Sequence, residues 1–202
     1  MNKEKVIVGI SAIAHYLPSL VRTSTDVEIM INKDLRPKLT IGSIERSTGI
    51  ITRRISTEIE YNSTLAIRAC QLLFEKEKID PATIDLLIFA STGQDVLEPA
   101  TVHIVQAEIG TNCQQVMDVK NACNSFLNAL EIAVAFVEAG KYKSVLIATG
   151  EVPSKAAKYD IKSMDEFKKY REGFTFGDAG TAVLVNSRAK IAAVLDSYFF
   201  SE

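Results

Sequence analysis

A strand pattern meets a helix pattern in the segment Asp118-Val-Lys-Asn-Ala-Cys123-Asn-Ser-Phe126. Gln114 to Val119 predicts a strand, and Ala122 to Ala139, closed by Gly140, predicts a long helix that is apolar around its circumference. Cys123 therefore falls at a helix N-terminus, where unpaired backbone N–H groups and the positive end of the helix dipole favour a thiolate. Such a thiolate is a nucleophile suited to acyl transfer from a thioester. The alternative is that Cys123 is a small apolar residue packed at a strand–helix turn.

Strand and helix patterns alternate on both sides of this segment. Further strands are predicted at Lys5 to Ala14, Ile50 to Ser56, Ile84 to Ala90, Ser144 to Thr149, Thr181 to Val185 and Lys190 to Phe200. Further helices are predicted to start at Thr25-Asp26 and Asn62-Ser63 and to run from Pro99 to Gly110, and Lys155 to Tyr170 is predicted to be a polar surface segment with a short helix. This rhythm predicts an α/β fold in one domain, residues 1–202. Its sheet is mostly parallel, and the last two strands form an antiparallel edge.

The composition is that of an ordinary globular protein, with 47% hydrophobic and 24% charged residues among 202. A net charge of −2 argues against nucleic-acid binding, since nucleic-acid binders have a basic excess. No segment approaches the ~20 apolar residues that cross a membrane, and the N-terminus lacks a signal-peptide cleavage site, so we expect a cytoplasmic protein. The three cysteines have no C-x-x-C spacing, so neither a disulfide framework nor a metal site is predicted.

The Cys123 segment resembles the nucleophile segment of the β-ketoacyl-ACP synthase III family, in which Gly usually stands at the position of Ser125. Other segments resemble the same family in the same order. These are Gly9 with Tyr16-Leu-Pro18, Ser47-Thr-Gly-Ile50 followed by Arg53-Arg54, Ile84 to Thr92, Pro99, and Phe176-Gly-Asp-Ala-Gly-Thr181. Because they cover nearly the whole chain, we identify it as similar to the N-terminal half of that family.

The resemblance implies one half of the thiolase fold, a five-layered α-β-α-β-α sandwich that is normally dimeric. It implies that Cys123 accepts an acyl group from a CoA or acyl-carrier-protein thioester, with its own N–H in the oxyanion hole, and that the acyl enzyme then condenses with malonyl-ACP with loss of CO₂. No cofactor is implied besides these substrates. The expected partners are the carrier protein and a second subunit, in a homodimer or a heterodimer, with no nucleic acid and no membrane.

Several residues depart from the family pattern. The His and Asn that activate the malonyl partner come from the second half in the family, and this chain has only His15 and His103, both before Cys123. The chain therefore looks incomplete for condensation. Ser43 replaces the Trp on which acetyl-CoA users stack adenine, and Ser47 replaces an Arg, so an acyl-carrier donor becomes plausible. Glu98 stands where an apolar residue often reaches the acyl pocket of the partner subunit.

The remaining motif residues are interpreted structurally. Gly177, Asp178 and Gly180 are predicted to form a tight turn near the site, with Asp178 bonded to backbone N–H groups. Cys70 and Cys113 are predicted to be core or surface residues. Two alternatives remain open. In the first, the chain is a non-catalytic or half-site partner of a heteromeric ketosynthase. In the second, it belongs to a related enzyme such as a 3-hydroxy-3-methylglutaryl-CoA synthase.

Overall fold

The computed structural model describes residues 7–188 and 190–194. The chain forms two compact units. Unit 1 contains the described residues of Met1–Tyr16, Asn62–Glu151 and Gly180–Glu202. Unit 2 contains Leu17–Tyr61 and Val152–Ala179.

The secondary structure alternates along the chain as the sequence predicts. The strands are β1 (Gly9–Tyr16), β2 (Leu20–Thr23), β3 (Thr52–Ile55), β4 (Leu86–Ala90), β5 (Gln115–Val119), β6 (Ser144–Glu151), β7 (Ala179–Asn186) and β8 (Ala192–Ala193). The helices are α1 (Ser24–Ile31), α2 (Ser43–Thr48), α3 (Asn62–Glu77), α4 (Thr101–Ile109), α5 (Ser125–Glu138) and α6 (Met164–Tyr170), with short 3₁₀ turns at Pro81–Thr83, Pro153–Lys155 and Arg171–Phe174.

Unit 1 is built on a sheet in the order β5-β4-β6-β7-β1-β8. Strand β4 pairs in parallel with β5 on one side and β6 on the other, with Leu86 opposite both Gln115 and Val145. Strand β1 pairs antiparallel with β7 and with the short edge strand β8. The prediction of an α/β fold with a mostly parallel sheet and an antiparallel edge is confirmed.

The strands of unit 1 bury side chains on both faces. Alternate residues of β4, such as Leu87 and Phe89, pack against α3 and α4, while Leu86, Ile88 and Ala90 face α5. A strand covered on both sides has no polar face, which is why β4 is a continuous apolar run in the sequence. The result is a three-layered arrangement within unit 1, with α3 and α4 on one face of the sheet and α5 on the other.

Two glycines bring the first turn of α3 directly against the sheet. A Cβ at Gly150 of β6 would lie 1.8 Å from the carbonyl oxygen of Asn62, and one at Gly180 of β7 would lie 2.1 Å from that of Leu65. No side chain fits there, because backbone atoms of α3 occupy the space. The helix is therefore held in one position on β6 and β7.

Unit 2 combines the antiparallel pair β2–β3 with a small apolar cluster, in which Val27 and Ile31 of α1 pack with Ile44, Ile161 and Phe174. Helix α1 begins with a capping box. The Thr23 hydroxyl accepts from the Asp26 N–H at 3.0 Å, and the Asp26 carboxylate accepts from the Thr23 hydroxyl and N–H. The two hydrogen bonds that the carboxylate accepts from Thr23 hold the pKa of Asp26 below its usual value.

Several boundaries differ from the predicted ones for physical reasons. Helix α4 starts at Thr101 rather than Pro99, because the Asp118 carboxylate accepts from the N–H groups of Thr101 and Val102 at 2.9 and 2.8 Å. Helix α5 starts at Ser125 rather than Ala122, because the intervening residues form a turn. In the predicted strand Lys190 to Phe200, β8 covers Ala192–Ala193, and residues 195–200 lie outside the described residues, as do Lys5 and Val6 of the first predicted strand.

Replacement of Gly150 by Ala is expected to lower the free energy of unfolding by about 3 kcal/mol, the upper end of the usual cost of overpacking, because the new methyl group meets backbone that has little room to move. Urea denaturation monitored by circular dichroism measures the change. Gly173→Ala is the matched control, since a Cβ there meets nothing nearer than 3.9 Å. Equal stability of the two variants would contradict the close approach of α3 to β6.

Candidate functional site

Cys123 lies in a tight turn between β5 and α5. The strand ends at Val119 and the helix begins at Ser125, so the connection is only five residues long. Ala122 has φ +46°, a left-handed conformation that costs a non-glycine residue about 1–3 kcal/mol and is concentrated at functional sites. The Cys123 side chain is exposed. A strained turn thus presents the thiol at the surface of unit 1.

The N-terminus of α5 has no side-chain cap. The side chain of its N-cap residue Asn124 does not cap a backbone N–H of the helix; its amide donates to Oδ1 of Asn128 at 3.5 Å instead. The first turn contains no acidic residue. In α1, by contrast, the Asp26 N–H donates to the Thr23 hydroxyl, and in α4 the Thr101 and Val102 N–H groups donate to the Asp118 carboxylate. The positive end of the α5 dipole is therefore left to stabilise negative charge beside Cys123.

The turn lies at the carboxyl edge of the three parallel strands. Strand β4 ends at Ala90, β5 at Val119 and β6 at Glu151. Ser91 follows β4, and its hydroxyl donates to the Gly150 carbonyl at 2.8 Å, while the Thr92 N–H donates to Oε1 of Glu151 at 2.5 Å. Ligands of open parallel sheets bind at this edge, because loops from several strands converge there.

The other two cysteines have the opposite environment. Cys70 on α3 is fully buried, and burial raises the pKa of its thiol to about 12. Cys113, just before β5, is also buried. Both therefore behave as small apolar core residues, and of the three thiols only that of Cys123 is exposed.

Asp178 is the centre of a buried hydrogen-bond cluster in unit 2. Its carboxylate accepts from the N–H and hydroxyl of Ser56, both at 2.7 Å, and from the N–H and hydroxyl of Ser154 at 3.0 and 2.6 Å. Its own N–H donates to the Arg54 carbonyl. A Cβ at Gly177 would lie 3.2 Å from that same carbonyl oxygen. Gly180 belongs to unit 1, where it contacts α3 as described above.

The remaining candidate residues lie at exposed positions. Glu98 is exposed in the loop before α4, next to Leu97, which is 85% exposed. His15 on β1 and His103 on α4 are also exposed. The structure thus gives no sign of a buried or paired histidine in the described residues.

Unit 2 contains a cavity of about 600 Å³. Its lining combines apolar side chains, hydroxyl groups, one positively charged side chain and one negatively charged side chain. The lining residues are Leu39, Ser43, Ile44, Ser47, Thr48, Phe167, Arg171, Glu172, Phe174 and Thr175. Ser43, Ser47 and Thr48 all come from α2. The two serines singled out in the sequence therefore face one cavity.

Sequence reasoning did not find α2, β2 or most of the cavity lining. Helix α2 is short and lacks a local cap, and its first N–H groups are bonded by the buried Glu28 of α1, at 2.6 Å from Gly42 and 2.7 Å from Ile44. Phe167 lies in the segment Lys155 to Tyr170, which is predicted to be a polar surface segment, and Arg171 and Phe174 come directly after it. Alternation of Phe and Tyr with lysines was the available signal there.

Within residues 7–188 and 190–194, no three or more His, Cys, Asp or Glu side chains gather closely enough to hold a metal ion. In the same part of the chain, no helix combines the length and apolar character needed to span a bilayer.

The fold matches that of thiolase-fold enzymes. The crystal structure of a Glu-to-Ala variant of OleA from Xanthomonas campestris superposes with a TM-score of 0.80 at 25% identity. The match covers 90% of this chain and 56% of that chain. Another OleA structure, with bound cerulenin, also gives a TM-score of 0.80 at 25% identity, over 89% of this chain and 56% of that one. The chain thus has the fold of one half of this class of enzyme.

The family follows from sequence comparison. Residues 117–202 match the family model of 3-oxoacyl-[acyl-carrier-protein] synthase III. The chain is 33% identical over 98% of its length to β-ketoacyl-[acyl-carrier-protein] synthase III from Porphyromonas gingivalis, and 31% identical over 96% to that from Caldanaerobacter subterraneus subsp. tengcongensis. It spans 55% of each relative. The resemblance to the N-terminal half of the β-ketoacyl-ACP synthase III family is therefore confirmed.

Thiol labelling checks the environments of the three cysteines. At pH 8, iodoacetamide is expected to alkylate Cys123 alone in the folded chain, because alkylation needs an accessible thiolate and the Cys70 thiol, with a pKa of about 12, stays protonated and buried. In urea all three cysteines become reactive. Peptide mass spectrometry identifies the labelled residues, and native labelling of Cys70 or Cys113 at the rate of Cys123 would contradict the structure.

Proposed function

We propose that the protein is a β-ketoacyl-ACP synthase III-type acyltransferase and condensing enzyme, with Cys123 as the acyl-accepting nucleophile. The observation that supports this most is the exposed thiol on a strained turn beside the uncapped N-terminus of α5. That environment favours negative charge both on the thiolate and on an oxyanion formed next to it.

The loading step is a thioester exchange. The Cys123 thiolate attacks the carbonyl carbon of the donor thioester, and the negative charge moves to the carbonyl oxygen, where the Cys123 N–H stabilises it. The bond from the carbonyl carbon to the donor sulfur then breaks. The carrier leaves as a thiolate that takes up a proton, and the acyl group remains on Cys123.

Condensation requires more than this chain segment provides. In the family a His and an Asn of the second half activate malonyl-ACP, and the only histidines here are His15 and His103. We propose that a second half, in the same chain or in another, supplies these groups for decarboxylative Claisen condensation. Without it, residues 1–202 load an acyl group but do not condense it.

The outer face of α5 supports a covering second half. Ala129, Ala133 and Val137 pack on the sheet, and the exposed side of the helix carries Leu127 and Ala135 beside Glu131 and Glu138. Leu127 there is 50% exposed. A second half that covers this side of the helix would bury Leu127 and Ala135, as expected for the central helix of a five-layered sandwich.

The cavity of unit 2 supports a carrier-bound donor. Family members that use acetyl-CoA stack adenine on a Trp at the position of Ser43 and have an Arg at that of Ser47. Both serines line the cavity, so these two positions carry hydroxyl groups in place of an aromatic ring and a cation, while Phe167 and Arg171 line the cavity elsewhere. We propose an acyl-carrier-protein thioester as the preferred donor, with CoA thioesters used less well.

Glu98 is proposed to act at the subunit contact of a homodimer or heterodimer. Its exposed position beside the exposed Leu97 suits a loop that meets a second subunit. A carboxylate at the acyl pocket of the partner disfavours a plain alkyl chain, because burial of an unpaired charge is costly.

Replacement of Cys123 by Ala is expected to reduce covalent acyl loading by at least about a thousandfold, since loss of a nucleophile removes the covalent step altogether. Intact-mass spectrometry after incubation with acyl-carrier-protein thioester detects the adduct. Cys113→Ala is the control and should still load. Loading that survives in the Cys123 variant would overturn the proposed nucleophile, and an unmodified protein that never loads would favour a non-catalytic partner subunit.

The double substitution Ser43→Trp with Ser47→Arg is expected to raise kcat/KM for an acyl-CoA donor by about tenfold, because one aromatic stacking contact contributes about 0.5–1.5 kcal/mol and Arg adds phosphate recognition. Steady-state acyl transfer with acyl-CoA and with acyl-carrier protein measures both donors. Ser43→Ala, the matched control, should leave the ratio of the two unchanged. An unmodified protein that already prefers acyl-CoA would contradict the proposed donor.

A further inference from the structure

Ser125, the first residue of α5, closes the nucleophile turn with its side chain. Its hydroxyl accepts from the Asn121 N–H at 2.8 Å and lies 2.7 Å from the Ala122 carbonyl oxygen, to which it donates. The Ser125 N–H donates to the same carbonyl at 3.1 Å. The side chain is only 3% exposed, so water does not compete for these bonds. One buried hydroxyl therefore joins the residues on both sides of the turn.

The Ala122 carbonyl and the Cys123 N–H belong to one planar peptide unit. In a trans peptide the C=O and N–H bonds point in opposite directions. Two hydrogen bonds from Ser125 draw the Ala122 oxygen toward the start of α5. They thereby fix the direction of the Cys123 N–H on the opposite side of the same plane.

We propose that Ser125 is a positioning residue that aims the Cys123 N–H at the developing oxyanion. This rests on the proposed function of Cys123 as the acyl-accepting nucleophile. Where the family has Gly at this position, this chain has a hydroxyl that holds the donor peptide in place. A donor that is already oriented needs no reorganisation when charge develops, which is the source of its effect on the transition state.

The loop after β4 contacts the Ser125 hydroxyl. Its Oγ lies 3.3 Å from the Ser91 carbonyl oxygen. The Ser91 N–H in turn donates to the Val119 carbonyl at 3.3 Å, and the Ser91 hydroxyl donates to Gly150 of β6. A hydroxyl has one proton, and the shorter contact of 2.7 Å assigns it to Ala122. The loop after β4 thus limits the movement of Ser125.

Two reactions of the same thiol test the proposal, because only one of them forms an oxyanion. Acylation of Cys123 by a decanoyl thioester of N-acetylcysteamine passes through a tetrahedral oxyanion, whereas alkylation by iodoacetamide is a direct displacement at carbon. Both are followed by mass spectrometry on the protein as its source cell makes it. Ser125→Ala is expected to lower the acylation rate at saturating thioester about tenfold, part of the 10²–10³ that a lost oxyanion donor costs, with KM and the alkylation rate nearly unchanged.

Ser125→Gly provides a second variant without the hydroxyl, in case the alanine methyl disturbs the turn, and should give the same selective loss. Ser11→Ala is the matched control, since the Ser11 hydroxyl is also buried and bonds a carbonyl, that of Leu184 on a different strand. It should change neither rate. Unchanged acylation in both Ser125 variants, or equal losses in acylation and alkylation, would overturn the positioning role. Failure of the unmodified protein to become acylated would instead refute the proposed nucleophile.

Discussion

The parallel pairing of β4 with β5 and β6 is the constraint on which the site depends. Because the three strands run in the same direction and in register, their carboxyl ends meet at one edge of the sheet. The loops that follow them then lie within hydrogen-bond reach, as the contacts of Ser91 with Gly150 and of Ser125 with Ser91 show. The turn that presents Cys123 is thus held by its neighbours as well as by its own backbone. A slip of one residue in either pairing would turn every side chain of the strand to the other face and separate these contacts.

The sequence predicts much of unit 1, because the relevant signals there are local. A continuous apolar run indicates β4, and a strand pattern followed by an apolar helix pattern places Cys123 at their junction. The start of α5 was predicted three residues early, since periodicity does not reveal that Ala122 adopts a left-handed conformation. The start of α4 was misplaced for another reason. Its cap is Asp118, which lies 17 residues away from Thr101 along the chain.

Unit 2 was harder to predict because its order depends on contacts between distant segments. The buried carboxylate of Glu28 fixes the start of α2 from 14 and 16 residues away, and Asp178 bonds serines 122 and 24 residues away. Short elements with such supports have little periodicity of their own. The motif around Gly177 and Asp178 could be recognised in the sequence, but the identity of its hydrogen-bond donors could not. The cavity was equally hidden, since α2 and the segment with Phe174 are far apart in the chain.

The contact of α3 with Gly150 and Gly180 has a consequence for how the chain tolerates change. Where two backbones touch, there is no side-chain layer whose repacking could absorb a shift, so the helix and both strands move together or not at all. Deleting or inserting one residue between Asn62 and Ala66 would rotate the helix by about 100° and bring a side chain to each glycine. Variation in length is therefore better accommodated in the exposed loops, and engineering of this fold should leave the first turn of α3 and its two facing glycines as one unit.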